Sequence, residues 1–309
     1  MKANSSLHYY DEVLLHIVTP IFGKLFDLSK LASTRSEAKY FPIDFTYIID
    51  TDSHIDFKRI CDSISPQDLA RVEIILVDVK SPGLARNAGL EKIKKGWVSF
   101  WDADDVPKVS EFYEMVLNAD RLALSVCAGS FEVLDSQGVT TRDFLLSEEK
   151  ENALTEIGMN PGLWRFSFRR EIIKDSRFTK HRMAEDQLFL SEIDFTIDDF
   201  FISRSFVYRY LINQPGQLTS NTDAIVDLLN VYAEMYRKLR RCTGPQDSMR
   251  ILMFTRQIIT GLKLLSIRKK FEVLRFFFLA IIMANGFRIQ LLKSIFLILR
   301  VRKGQLSGI

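Results

Sequence analysis

Only three cysteines occur in the 309 residues, Cys61, Cys127 and Cys242. They are far apart and odd in number, which argues against a disulfide framework and suits a reducing compartment. Their spacing matches no zinc site. The four histidines, His8, His16, His54 and His181, form no motif and read as structural or exposed. Long apolar runs are also missing. The longest candidate, 276–287, holds 12 residues between Arg275 and Arg288, whereas a transmembrane helix needs about 18 or more. The first twenty residues carry one lysine and no long apolar core, so no signal peptide is expected. Neither a Walker loop nor Gly-x-Gly-x-x-Gly is present, which removes the usual support for P-loop and dinucleotide-binding readings. No internal repeat is visible.

Hydrophobic residues make up 47% and charged residues 26%, enough to bury a substantial core. The net charge of +3 hides an asymmetry. From Arg241 onward 13 Lys/Arg face 2 Asp/Glu, so this last part carries +11 and the first 240 residues carry −8. The excess basic charge sits in the most hydrophobic part of the chain. That combination points to peripheral contact with an anionic membrane surface and away from nucleic acid. The rival reading of the tail, residues 262–303, is a pair of helices packed on the rest of the protein.

Strand-like and helix-like segments alternate over residues 13–101. Residues 13–19, 45–50, 72–78 and 97–101 read as strands. Helix-compatible spacing lies between them at 22–39, 57–64 and 84–93, the last opened by Pro82-Gly83. This order predicts an α/β fold with a mostly parallel sheet covered on both faces, whose ligands bind at the carboxyl ends of strands. Residues 122–135 and 201–212 read as later strands, and 147–156 as a polar, exposed segment. A linker is expected at 213–221. The expected organisation is a domain over 1–215 and a helical, basic and hydrophobic region over 216–309.

The sharpest local feature is "VSFWDADDVP", residues 98–107. An apolar strand runs into Asp102, Asp104 and Asp105. Like charges this close repel one another unless a cation or hydrogen bonds neutralise them. A divalent cation bridging these carboxylates to a diphosphate would do so, since Mg²⁺ and Mn²⁺ take oxygen ligands. The bland alternatives are a solvated acidic loop, or Asp105 capping a helix after Pro107. In "SPGLARNAGL", 81–90, Arg86 stands one turn into a helix, able to reach a phosphate or a carboxylate. It could equally be an exposed arginine at an ordinary helix start. Glu185-Asp186 precede an apolar helical stretch; such a pair can complement the helix dipole or supply a general base.

These segments, in this order, resemble glycosyltransferase family 2, inverting enzymes of the GT-A fold. The family's run appears here as Thr19-Pro20, "IIDTDS" (48–53), "GLARNAG" (83–89), "DADD" (102–105) and "ED" (185–186). The resemblance covers about residues 12–212. It implies that Thr19, Pro20, Asp50, Arg86 and Asp102 bind the donor. Asp102, Asp104 and Asp105 would hold Mn²⁺ or Mg²⁺. Asp186 would be the catalytic base, with Glu185 beside it. Trp164, in "PGLWRFSFRREII" (161–173), would shape the acceptor site. Two departures touch donor recognition: Ile21-Phe22 stand where the family usually has Tyr-Asn, and Thr51 replaces the second acid of the base-binding pair. The Gln-x-x-Arg-Trp motif of processive synthases is absent, which favours a single-addition transferase.

The resulting expectation is a metal-dependent inverting glycosyltransferase moving a sugar from a nucleotide-diphosphate donor, with a UDP-sugar favoured, to a hydroxyl acceptor. The acceptor would be a glycan or a lipid-linked molecule in cell-surface glycan assembly. The expected location is cytoplasmic, peripheral on the inner face of the cell membrane. The alternative from another class is a catalytically silent nucleotide-sugar-binding or scaffold protein of the same fold; nucleotidyl transfer lacks a glycine-rich N-terminal signature.

Overall fold

The computed structural model describes residues 13–22, 27–51, 57–212, 228–239, 247–264 and several helical positions within 270–298. The first half follows the expected alternation: β1 (Leu15–Ile21), α1 (Leu28–Ala38), β2 (Ile43–Asp50), α2 (Phe57–Asp62), β3 (Val72–Val77), α3 (Pro82–Lys92) and β4 (Trp97–Phe100). The second half adds β5 (Val106–Pro107), α4 (Val109–Arg121), β6 (Val126–Leu134), β7 (Thr140–Phe144), α5 (Lys150–Met159), β8 (Phe166–Arg169), α6 (Glu185–Glu192), β9 (Phe200–Leu211), α7 (Leu228–Leu239) and α8 (Asp247–Leu264).

The described strands form one nine-stranded sheet in the order β3-β2-β1-β4-β8-β6-β9-β5, with β7 paired to β6. The first four are parallel, Thr19 lying opposite Tyr47 and Val18 opposite Phe100. The chain moves outward from β1 through β2 and β3, then returns to place β4 on the other side of β1. The carboxyl ends of β1 and β4 therefore flank a topological switch point, where such sheets open a crevice for ligands.

Alternation along the strands divides the core into two layers. Leu15, Ile17, Phe45, Tyr47 and Trp97 face Leu31 of α1 and Phe112 and Val116 of α4. Val18, Ile48, Val98 and Phe100 face Ala85 and Leu90 of α3 and the helices α5 to α8. Helices thus cover both faces, as the pattern predicts.

Residues 147–156 depart from expectation. They were expected to be a polar, exposed segment, yet α5 begins at Lys150 and buries Ala153, Leu154, Ile157 and Gly158. Its apolar stripe is narrow and interrupted by charge, so it is legible only once α8 is seen against it. Arg256 of α8 donates to the Met159 carbonyl at the end of α5, and Arg250 donates to the Ile193 carbonyl at 2.6 Å. The linker expected at 213–221 and most of the tail lie outside the described residues. Among the described residues no helix is long and apolar enough to cross a membrane.

Candidate active site

Ser81, Pro82 and the two motif glycines set α3 in place. The Ser81 hydroxyl accepts the Leu84 N–H at 3.4 Å, and Pro82 occupies the first turn. A Cβ on Gly89 would stand 2.7 Å from Val18 Cγ1, so α3 lies flush on β1. A Cβ on Gly83 would stand 2.5 Å from the Thr179 carbonyl, so the segment leading to α6 also packs against the helix start. Close approach on both sides directs Arg86 into the space between β4 and α6.

Arg86 meets carboxylates from both. Its Nη2 lies 2.7 Å from Asp102 Oδ1 and its Nη1 lies 2.8 Å from Glu185 Oε1. The guanidinium also rests 5.5 Å from the Phe178 ring centre. The arginine is buried, and against the desolvation this brings, Asp102, Glu185 and Asp186 hold its pKa above the usual value. One guanidinium therefore joins the acidic loop after β4 to the acid pair that opens α6.

The Asp102–Asp105 loop is held by strand β9. The Asp102 N–H donates to the Tyr208 hydroxyl at 3.1 Å, and Asp105 Oδ1 accepts the Leu211 N–H at 2.8 Å. Lys30 of α1 donates to the Asp104 carbonyl at 2.7 Å. The crowded carboxylates are thus treated separately. Asp102 is paired with Arg86. Asp105 is buried, and desolvation together with Asp104 and Asp102 pushes its pKa well above the ordinary range. Asp104 is half-buried. Asp105 does not cap α4, which is preceded by Lys108.

A divalent cation fits Asp102 and Asp104 better than Asp105. The Asp105 carboxyl is buried, committed to Leu211 and held toward its protonated form. Among the described residues no three His, Cys, Asp or Glu side chains form a metal cage. Mg²⁺, however, is commonly held by one or two carboxylates together with substrate phosphates, so a preformed cage is not required.

At the start of α6, Ala184 adopts a left-handed φ of 60° and turns the chain so that Glu185 and Asp186 enter the site together. Burial pushes Glu185 up to about 7, Asp186 adding to the rise and Arg86 opposing it. Burial likewise pushes Asp186 up to about 6, again opposed by Arg86. Asp186 Oδ1 accepts the Gln187 N–H at 2.8 Å. An acid in this range gains and loses a proton near neutral pH, which suits general-base work.

The remaining residues singled out in the sequence take definite places. Thr19 is buried and lines a small pocket with Lys30, Thr34, Tyr47 and Asp102, beside the loop after β4. Pro20 follows it, half-buried. Asp50, buried at the end of β2, accepts the Lys80 N–H at 2.6 Å through Oδ2, where Lys80 holds a φ of 51°. This bond ties the end of β2 to the turn before α3. Trp164 is 8% exposed, and its indole lies over Tyr208 and Tyr210 with ring centres 4.5 and 5.4 Å away. Sequence reasoning missed Lys30, Tyr208 and Tyr210. The two tyrosines do show a period-2 signal, but nothing in the sequence says which strand face meets the carboxylates.

The family model for Glycosyl transferase family 2 matches residues 33–184. No curated protein matches the chain in sequence. The crystal structure of Staphylococcus aureus TarS 1-349 in complex with UDP-GlcNAc is similar at a TM-score of 0.66 and 15% identity, covering 85% of this chain and 79% of that one. The same TarS fragment in complex with UDP matches at a TM-score of 0.58 and 15% identity, covering 84% of this chain and 77% of that one. A longer TarS structure matches at 0.61 and 15% identity, over 84% of this chain and 47% of its own length. At these identities the structural likeness establishes the fold.

Proposed function

We propose that this chain, which the Glycosyl transferase family 2 model matches over residues 33–184, is a glycosyltransferase that moves a sugar from a nucleoside diphosphate donor to a hydroxyl acceptor with inversion at the anomeric carbon. The observation that carries this reading is the Arg86 bridge, which brings Asp102, in the acidic loop at the donor end, next to the acid pair on α6. Inversion needs a base on the face opposite the leaving group. Asp186 is the better base of the pair, because Glu185 spends an oxygen on Arg86.

In the proposed reaction Asp186 takes the proton of the acceptor hydroxyl as its oxygen attacks the anomeric carbon. Arg86 favours the ionised form of Asp186 and fixes Asp102. Asp102 and Asp104 would hold Mn²⁺ or Mg²⁺, which when bound offsets negative charge on the departing diphosphate. Asp105, through Leu211, and Tyr208 fix the loop that presents these carboxylates. Thr19, Pro20 and Asp50 line the strand ends where the nucleotide would lie. TarS has been crystallised with UDP and UDP-GlcNAc, which makes a uridine nucleotide the first donor to test. The acceptor class proposed is a glycan or a lipid-linked molecule of cell-surface glycan assembly. Peripheral contact with an anionic membrane surface belongs to the same reading, supported by the +11 charge from Arg241 onward.

The test is nucleoside diphosphate release from UDP-, GDP- and dTDP-sugars, with and without Mn²⁺. Cation-dependent release with one donor is expected, stimulated by glycan or lipid-linked acceptors. Absence of release from every nucleotide sugar, with or without binding, would favour the catalytically silent nucleotide-sugar-binding or scaffold alternative.

A further inference from the structure

Tyr210 stands in the candidate site without a described role. It follows Tyr208 by two residues on β9, so both rings leave the strand on the same face. The Tyr208 hydroxyl is already used, accepting the Asp102 N–H. Tyr210 lies one step further toward the strand end, next to Leu211, whose N–H holds Asp105. Its ring is fixed by Trp164, with ring centres 5.4 Å apart and planes within 12° of parallel. Yet its hydroxyl has no hydrogen-bond partner among the described residues, and the side chain is only partly buried.

The groups around that hydroxyl are informative. After desolvation, its electrostatic neighbours are Asp105, Asp102, Asp104 and Asp186. The field at that hydroxyl therefore comes from both the donor-side carboxylates and the proposed base. A tyrosine hydroxyl, with an ordinary pKa of about 10, keeps its proton at neutral pH and can donate it in a hydrogen bond. A transferred sugar must occupy the same space, between the carboxylates that hold the diphosphate and the base that meets the acceptor.

We propose that Tyr210 contacts the transferred sugar of the donor, its hydroxyl hydrogen-bonding a sugar hydroxyl and its ring edge packing beside the pyranose. This assignment rests on the nucleotide-sugar reading above and adds the residue that recognises the sugar portion. Trp164 acts through it: lying over Tyr208 and Tyr210 and buried, the indole sets the orientation of the phenol and is a positioning residue.

The experiment is Tyr210→Phe in the full chain, which keeps the stacked ring and deletes one hydroxyl. Calorimetric titration with UDP, and separately with UDP-GlcNAc, UDP-glucose and UDP-galactose, divides nucleotide binding from sugar binding. Expected are unchanged UDP affinity, an unchanged melting temperature, and a loss of about three- to tenfold in affinity or kcat/KM for the preferred UDP-sugar, the scale of one neutral hydrogen bond. Equal behaviour of wild type and variant toward every UDP-sugar would overturn the assignment. So would an equal loss for UDP and UDP-sugars, which would place Tyr210 at the nucleotide or in the scaffold. If the wild-type chain binds neither these nucleotides nor their GDP and dTDP counterparts, the nucleotide-sugar reading fails first and takes this one with it.

Discussion

Replacing Arg86 by Met tests the central feature of the site. The side chain is 7% exposed, as is fitting for a residue between Glu185, at 9%, and Asp102, at 30%. Breaking a buried ion pair by removing one partner typically costs about 3–5 kcal/mol. Two features lower that figure here. Glu185, already pushed up to about 7, can neutralise itself near pH 7 at little cost. Asp102 keeps enough contact with solvent to be hydrated. The expected loss is therefore about 2–3 kcal/mol, or roughly 3–5 °C in Tm for a chain of this size. The catalytic consequence has a separate signature. A nearby cation lowers a carboxylate pKa by about 1–3, so losing Arg86 should carry the acidic limb of the rate profile from near 6 toward about 7–9. That limb is a property of the Glu185–Asp186 pair. Arg86→Lys keeps a charge but not the fork that serves two carboxylates at once. It should hold the limb closer to wild type while still melting early. Differential scanning calorimetry and a pH series of kcat would read both effects. An Arg86→Met protein that melts within a degree of wild type and keeps its limb would refute the bridge as an energetic link.

Asp186→Asn should reduce kcat by about 10²–10⁴ while leaving donor affinity within a few fold, measured by single-turnover transfer beside calorimetry. Collapse of donor binding with persistent turnover of bound donor would move Asp186 to the donor side. Asp104→Asn should weaken the Mn²⁺ response of donor binding without lowering Tm, and an undiminished cation dependence would remove it from the metal site. Gly89→Ala places a Cβ 2.7 Å from Val18 Cγ1 and should cost about 1–3 kcal/mol, read as a lower urea midpoint. An unchanged midpoint would mean that α3 can lift from β1 freely.

The parallel half of the fold was legible because its causes are local. Apolar runs of strand length, Pro82-Gly83 at the start of α3, and helical spacing between strands each act within a few residues. The motif residues were legible for the same reason: three acids in four positions raise a charge problem in any fold. The order of the mixed strands β8, β6 and β9 was not, because pairing between distant strands depends on contacts that no short segment encodes. The buried stripe of α5 shows this limit well. Ala153, Leu154 and Ile157 become core only when α8 supplies the other surface. The same division runs through the site. The sequence alone placed Asp102–Asp105, Arg86 and Glu185-Asp186 at the ends of elements that open toward ligands. Only the tertiary structure decided how their charges are settled: Arg86 between Asp102 and Glu185, and Asp105 against Leu211. Charge compensation and desolvation are set by distance and burial in space, and residues far apart in the chain acquire both only after the sheet has brought them together.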